Sequence, residues 1–195
     1  MKQEYKGLPL FDAVLTDENL GIYCVSLVDD PATQVKWLAF SKDQKDTLKF
    51  SITDEDKHRV LSVIMVADTP IYRVNDKGEG YYIQFSKETL YEASKRLLMN
   101  GFQNYVNVEH IESSQLYGFW MTQIYQKDAA RGINPAGFED VPDGSLFGEY
   151  YVADETLWQE IKQGRFIGLS LEGEFSLAEK EIASLEDLAE YLGLE

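Results

Sequence analysis

Short β-type segments separated by turn residues recur along almost the whole chain and limit the folds that it can adopt. Many of these segments are rich in Val, Ile, Tyr and Phe and are bounded by Gly, Pro, Asp or Asn, which is typical of strands. They cover residues 11–15, 21–28, 34–40, 47–52, 60–66, 71–74, 80–85, 105–109, 116–125, 146–152 and 166–175. Segments 71–74 and 80–85 flank a turn signal and are predicted to form a hairpin.

Helical spacing of apolar residues predicts three helices in addition to the strands. The first begins after Ser86, a residue suited to an N-cap, and stops at 100–101, where the sequence is Asn-Gly. The second begins at Asp154 and ends at Gly164. The third begins at Ser184 with a capping-box pattern. The sequence therefore predicts a β-rich α+β protein, a partly closed β-barrel with inserted helices.

We expect one domain, because 195 residues with 44% hydrophobic side chains suffice for a sizeable core. Residues 1–176 are assigned to this domain. Residues 177–195 form a short acidic tail with the third helix, which either packs on the domain or docks a partner. Residues 128–144 contain three Gly and two Pro and are predicted to be a mobile loop that borders a substrate cleft.

Composition excludes several classes of function. The formal net charge is −16, so phosphates would repel the chain, and a direct nucleic-acid partner is not expected. No apolar stretch approaches the roughly 20 residues of a membrane span, and the N-terminus lacks a signal-peptide pattern. The two histidines and Cys24, the only cysteine, lack metal-ligand spacing, and Cys24 is expected to be a buried structural thiol. Neither a metal nor a cofactor is implied.

Ser170 is a candidate nucleophile because of the residues that share its strand face. Alternation places Ser170, Glu172 and Glu174 on one side of the segment 166–175. Glycines flank the group and would let a peptide backbone approach. The pattern is not the hydrolase elbow G-x-S-x-G, because position 172 is Glu. A serine on a solvent-facing strand is the alternative interpretation.

His110 is the candidate general base, since a serine needs a neighbouring group to take its proton. His58 lies in a charged stretch that is predicted to be solvated, whereas His110 ends the β-type segment 105–109. A surface or capping histidine is the alternative.

Several stretches together resemble the phage prohead serine proteases, which are related to the herpesvirus assemblins. The sequence Asn-Val-Glu-His at 107–110 is followed by Gly-Leu-Ser-Leu-Glu-Gly at 168–173, and residues 25–32 and 60–73 resemble two further blocks of the family. The likeness covers roughly residues 20–176. It implies an assemblin-type β-barrel, with Ser170 as nucleophile and His110 as base in an acyl-enzyme mechanism.

The resemblance also implies a place of action. The enzyme would act in the host cytoplasm, inside the assembling prohead, and would cut scaffold and major capsid proteins and itself. Assemblins dimerise, so a homo-oligomer is plausible. The rival interpretation is a non-catalytic capsid-assembly or scaffold-binding protein that keeps the protease fold.

The sequence departs from the assemblin pattern at the third catalytic residue. Assemblins use a second histidine, but no histidine follows Ser170, so a carboxylate must take that role if any group does. Glu172 is the first choice because it shares the face of Ser170. Asp68 and Glu109 are the alternatives, and Glu109 is disfavoured because it faces away from His110 on a strand.

The oxyanion hole departs from that pattern as well. No arginine follows the serine, where assemblins carry one. Backbone N–H groups near Gly168 or Gly173, or the side chains of Arg131 or Arg165, are the candidates.

Overall fold

A computed structural model describes residues 4–29 and 50–179 of the chain. In chain order the strands are β1 (Glu4–Tyr5), β2 (Leu8–Val14), β3 (Gly21–Val28), β4 (Ser51–Asp54), β5 (Arg59–Met65), β6 (Ile71–Val74), β7 (Gly80–Phe85), β8 (Val106–Val108), β9 (Phe119–Gln126), β10 (Leu146–Val152), β11 (Gly168–Glu174) and β12 (Ser176–Glu179). The helices are α1 (Lys87–Met99) and α2 (Glu155–Lys162), and short 3₁₀ segments span Phe102–Asn104, Glu112–Ser114 and Ala129–Arg131. The predicted β-rich α+β class is confirmed.

The strands lie in three sheets, and none of them closes into a barrel within the described residues. The first sheet has the order β1-β2-β7-β6, with β12 also paired to β2. The second is antiparallel, in the order β4-β5-β10-β9. The third has β3 in its centre, antiparallel to β11 and parallel to β8. This small third sheet carries the residues that the sequence marks for chemistry.

One large apolar cluster joins the three sheets and the two helices. Both helices present an apolar stripe to it, with Leu90 and Leu97 from α1 and Trp158 from α2 fully or almost fully buried. A smaller cluster covers the other side of β5 and β10, and the long loop 128–144 contributes Phe138 to it. The central strands β5 and β10 are therefore buried on both faces, which explains why they read as nearly continuous apolar runs.

Local signals in the sequence predict the helices and the hairpin well. Ser86 caps α1, as predicted, and Asp154 caps α2; each accepts a hydrogen bond from the backbone N–H three residues ahead. Gly101 and Gly164 follow the helix ends in the left-handed region, where glycine is favoured. β6 and β7 form the predicted hairpin. No helix within 4–29 and 50–179 is long and apolar enough to cross a bilayer.

The C-terminal part of the described chain adds a strand that the sequence does not signal. β12 crosses the proposed boundary between 176 and 177 and pairs with β2, so the first residues of the tail belong to the first sheet. The predicted helix from Ser184 and the predicted strand 34–40 lie outside the described residues. Of the predicted strand 47–52, only the end is described, and β4 begins at Ser51.

The loop 128–144 is anchored near its end, and the mobility of its exposed first part stays a prediction. The buried ammonium of Lys127 donates to the backbone carbonyls of Phe138, Glu139 and Val141. Phe138 and Val141 are buried against Phe147 of β10. The ammonium therefore stabilises a turn of main chain in which the Phe138 carbonyl also accepts from the Val141 N–H.

Candidate active site

The third sheet has one apolar face and one polar face. In its register Ser170 of β11 lies opposite Ser26 of β3, and Ser26 lies beside Asn107 of β8. Side chains alternate along strands, so their neighbours Leu27 and Leu169 point to the other side, into the main core. Ser26, Asn107 and Ser170 are themselves buried. We call Ser26, Asn107, Ser170 and Glu172 the polar face.

His110 reaches the polar face from a strained turn. Glu109 and His110 both have positive φ, 53° and 58°, and the N–H of Ile111 donates to the Val108 carbonyl at 3.0 Å. These are the features of a two-residue type I′ turn, which usually contains Asn-Gly because side chains disfavour that backbone. Left-handed non-glycine residues cost about 1–3 kcal/mol each and cluster at functional sites. The predicted strand 105–109 therefore ends early, at Val108.

Contacts from three sides hold this turn in place. The Ser114 hydroxyl accepts a hydrogen bond from the Val108 N–H at 3.0 Å. The Glu109 N–H donates to the Leu27 carbonyl at 3.1 Å. The Glu109 carboxylate accepts a hydrogen bond from the Asp29 N–H at 2.8 Å, at the end of β3. Together they fix the position from which His110 projects.

The Glu172 carboxylate joins His110 to the polar face. Its Oε1 accepts hydrogen bonds from the Ser26 hydroxyl at 2.6 Å and from the Asn107 amide at 2.7 Å. The same oxygen lies 3.2 Å from His110 Nδ1. The predicted pairing of Glu172 with His110 is therefore present in the structure as a contact.

The count of protons fixes the tautomer of His110. Ser26 Oγ lies 2.9 Å from His110 Nδ1. Ser26 has one proton and donates it to Glu172, so its oxygen can only accept from the histidine. Nδ1 must then carry a proton, and in the neutral imidazole the lone pair is on Nε2. A histidine in this state is a base at Nε2.

The same contacts determine the charge of Glu172. Burial alone raises the pKa of its carboxyl group, but hydrogen bonds from Ser26, Asn107 and His110, together with the His110 charge, outweigh burial and lower the pKa below its ordinary value. Glu172 is therefore a carboxylate at neutral pH. This negative charge favours the protonated form of His110 during proton transfer.

Ser170 lies on β11, the strand next to β3, which carries the Ser26 that contacts His110. Directly opposed residues in an antiparallel pair have Cβ atoms roughly 4.5–5.5 Å apart, so the Ser170 side chain neighbours that of Ser26. Within the described residues Ser170 makes no side-chain hydrogen bond, and none joins it to His110. Its side chain is only 3% exposed. The hydrogen bond of His110 goes to Ser26, and the approach of Ser170 to His110 within about 4 Å stays a prediction.

Other sequence candidates are engaged elsewhere. The Glu109 carboxylate binds the Asp29 N–H, and the backbone N–H of Asp68 donates to the carbonyl of Phe85 at the end of β7. Arg131 pairs with Asp128 in the long loop, and Arg165 pairs with Glu160 of α2. None of these contacts assigns an oxyanion donor.

Gly173 and Cys24 have structural explanations. A Cβ at Gly173 would lie 2.8 Å from the Gly21 carbonyl oxygen, so the glycine permits close packing within the sheet. Cys24 is buried, as predicted. Burial, followed by the charge of Glu172, raises the pKa of its thiol to about 12, so Cys24 is protonated and is not a nucleophile. No group of potential metal ligands occurs within 4–29 and 50–179.

Sequence reasoning missed Ser26 and Asn107. A signal for Ser26 exists, because it is a hydroxyl residue within the apolar run 22–28. Asn107 lies in the same four-residue stretch as His110. Their roles depend on the register between strands that are distant in sequence, which no local pattern specifies.

The chain was compared with protein-family models, with curated proteins and with solved structures, and none of the three comparisons found a match.

Proposed function

We propose that this protein is a serine endopeptidase of phage prohead assembly, with Ser170 as nucleophile, His110 as general base and Glu172 as the group that orients His110. The observation that carries the proposal is the contact of His110 Nδ1 with the Glu172 carboxylate at 3.2 Å, on the sheet face that also holds Ser170. This arrangement leaves Nε2 as the basic nitrogen and supplies a fixed negative charge behind it.

The mechanism follows from these assignments. Ser170 Oγ attacks the carbonyl carbon of the scissile peptide bond while its proton passes to His110 Nε2. Glu172 stabilises the resulting imidazolium through Nδ1–H. The C–N bond then breaks, and His110 gives the proton to the leaving amine. Water repeats the sequence on the acyl-enzyme and releases the free carboxyl group.

The phage setting and the assemblin-type barrel belong to the same proposal. They rest on the resemblance of residues 25–32, 60–73, 107–110 and 168–173 to the prohead proteases. Scaffold and major capsid proteins are then the substrates, and the enzyme acts inside the assembling prohead in the host cytoplasm. Dimerisation of the kind that assemblins show is part of this proposal.

One observation favours a second function, a non-catalytic assembly or scaffold-binding protein with the same fold. Ser170 is almost fully buried and has no hydrogen bond to His110 among the described residues. A peptide bond reaches Oγ only if neighbouring groups move. The two functions differ in whether the Ser170 hydroxyl ever becomes reactive.

A fluorophosphonate probe tests this reactivity directly, since it reacts covalently with activated serine hydroxyls. The wild-type protein should be labelled on Ser170, whereas Ser170→Ala should not be labelled. Ser62→Ala, which removes another buried hydroxyl from β5, is the matched control and should be labelled like the wild type. Co-expression with the capsid and scaffold proteins should show processing that Ser170→Ala abolishes. Absence of labelling and of processing in the wild type would favour the assembly protein.

A further inference from the structure

We infer that Ser26 is a positioning residue of this site: its hydroxyl links Glu172 to His110 and holds His110 in the Nδ1–H tautomer. The catalytic meaning of this inference rests on the proposed function. The hydrogen-bond arrangement itself does not, and it can be measured without turnover.

The first step of the argument is the burial and position of Ser26. It lies in the central strand of the third sheet, with 0% of its surface exposed, between Ser170 on one side and Asn107 on the other. A buried hydroxyl needs partners, because an unpaired polar group in the interior costs free energy. Ser26 finds them in Glu172 and His110, at 2.6 and 2.9 Å.

The second step is that only one neutral tautomer of His110 gives each contact of Nδ1 a donor and an acceptor. If Nε2 carried the proton instead, the lone pair of Nδ1 would face the Glu172 oxygen at 3.2 Å. Ser26 has a single proton, so either its contact with Nδ1 or its contact with Glu172 would then lack a proton. With the proton on Nδ1, each contact has one donor and one acceptor. The hydroxyl and the Glu172 oxygen together therefore select the tautomer that leaves Nε2 free.

The third step is the role of Asn107. Its amide nitrogen donates to Glu172 Oε1 at 2.7 Å, which fixes the amide orientation because a carboxylate can only accept. Asn107 thereby holds the carboxylate on the side of Ser26 and His110. Its Oδ1 is buried without a hydrogen-bond partner among the described residues. The unsatisfied oxygen costs free energy, and this cost accompanies the orientation in which the amide nitrogen donates to Glu172.

The fourth step excludes Ser26 as the nucleophile. Its proton is donated to Glu172, and its oxygen accepts from Nδ1, the nitrogen that cannot act as base in this tautomer. Ser170, in contrast, has no side-chain hydrogen bond among the described residues, so its proton is not committed to another acceptor. The two serines of the paired strands thus have different roles.

The first test is nitrogen-15 NMR of His110 in Ser26→Ala, at a pH where the imidazole is neutral. The wild type should show the Nδ1–H tautomer, and Ser26→Ala should gain a measurable Nε2–H population. Ser62→Ala is the matched control, since it removes a buried hydroxyl from another sheet and should leave the tautomer unchanged. An unchanged tautomer in folded Ser26→Ala would overturn the inference, whether or not the protein is an enzyme.

The second test is kinetic and uses a double-mutant cycle. Ser26→Ala should lower kcat by about tenfold to a hundredfold with little change in KM, as expected for losing a hydrogen bond to a charged group. In a Glu172→Gln background the same change should have a much smaller effect, because Ser26 acts through Glu172. Ser26→Thr, which keeps the hydroxyl, should recover part of kcat. Equal effects of Ser26→Ala in both backgrounds would contradict the positioning role.

Discussion

The left-handed turn at His110 predicts that glycine stabilises this position relative to alanine. His110 has φ of 58°. A residue with a Cβ in this region costs about 1–2 kcal/mol relative to the right-handed region, and glycine does not pay that cost. Glycine loses roughly 0.5–1 kcal/mol more backbone entropy on folding, which offsets part of the gain. We expect His110→Gly to be more stable than His110→Ala by about 1 kcal/mol.

Comparing the two variants isolates the backbone contribution. Both lose the contacts of the imidazole with Ser26 and Glu172, so those losses cancel. Urea unfolding with a common m-value measures the difference, and for a chain of 195 residues about 1 kcal/mol corresponds to roughly 2–4 °C in Tm. Lys95, exposed on α1, is the matched control. There Gly should be less stable than Ala by about 1 kcal/mol. If Ala equals or exceeds Gly at position 110, the turn is not left-handed and the reasoning fails.

Three further predictions follow from other contacts. Glu172→Gln should lower kcat by orders of magnitude without unfolding the protein. Folding lowers the pKa of Glu172, so its carboxylate stabilises the fold at pH values above the ordinary pKa of 4.5. This contribution is lost as the pH falls through the pKa of the folded state. The acid unfolding curves of the wild type and of Glu172→Gln should therefore converge at low pH. Lys127→Met should lower the free energy of unfolding measured in urea by about 2 kcal/mol, because the carbonyls of Glu139 and Val141 lose the Lys127 donor while that of Phe138 keeps the Val141 N–H. Lys77→Met in an exposed turn should change it by almost nothing. Gly148→Ala should lower the free energy of unfolding by about 1–3 kcal/mol, since the added Cβ would lie 2.8 Å from the Tyr150 ring and 2.9 Å from Ile64. A thermal unfolding curve equal to that of the wild type would refute this close packing.

Rules that act over a few residues predict much of this fold. The caps at Ser86 and Asp154 and the hairpin of β6 and β7 depend on hydrogen bonds and turns that each segment forms by itself. Strand alternation also placed Glu172 on the face of Ser170, and the structure brings that carboxylate to His110. The placement succeeded because the relevant residues are two apart on one strand.

Pairing between distant strands was not predictable in the same way. Ser26, Asn107 and Ser170 become neighbours only through the register of β3 with β8 and β11. The turn at Glu109 and His110 lacks the Asn-Gly signature of its type, so the sequence suggested a longer strand. Both misses arise where tertiary contacts override local preference.

Two features of the site lower the stability of the fold, so a stabilising role alone does not explain them. Burial of Ser26, Asn107 and Ser170 on one sheet face costs free energy, the more so because Asn107 Oδ1 has no hydrogen-bond partner among the described residues, and small apolar side chains there would avoid that cost. The adjacent turn places two side-chain-bearing residues where glycine or asparagine would be cheaper. The two costs meet at one histidine, whose Nδ1 is bound by the polar face and whose ring is 43% exposed. Backbone strain and buried polarity that meet at one half-exposed histidine are typical of functional sites, and this convergence supports the peptidase proposal over a purely structural role.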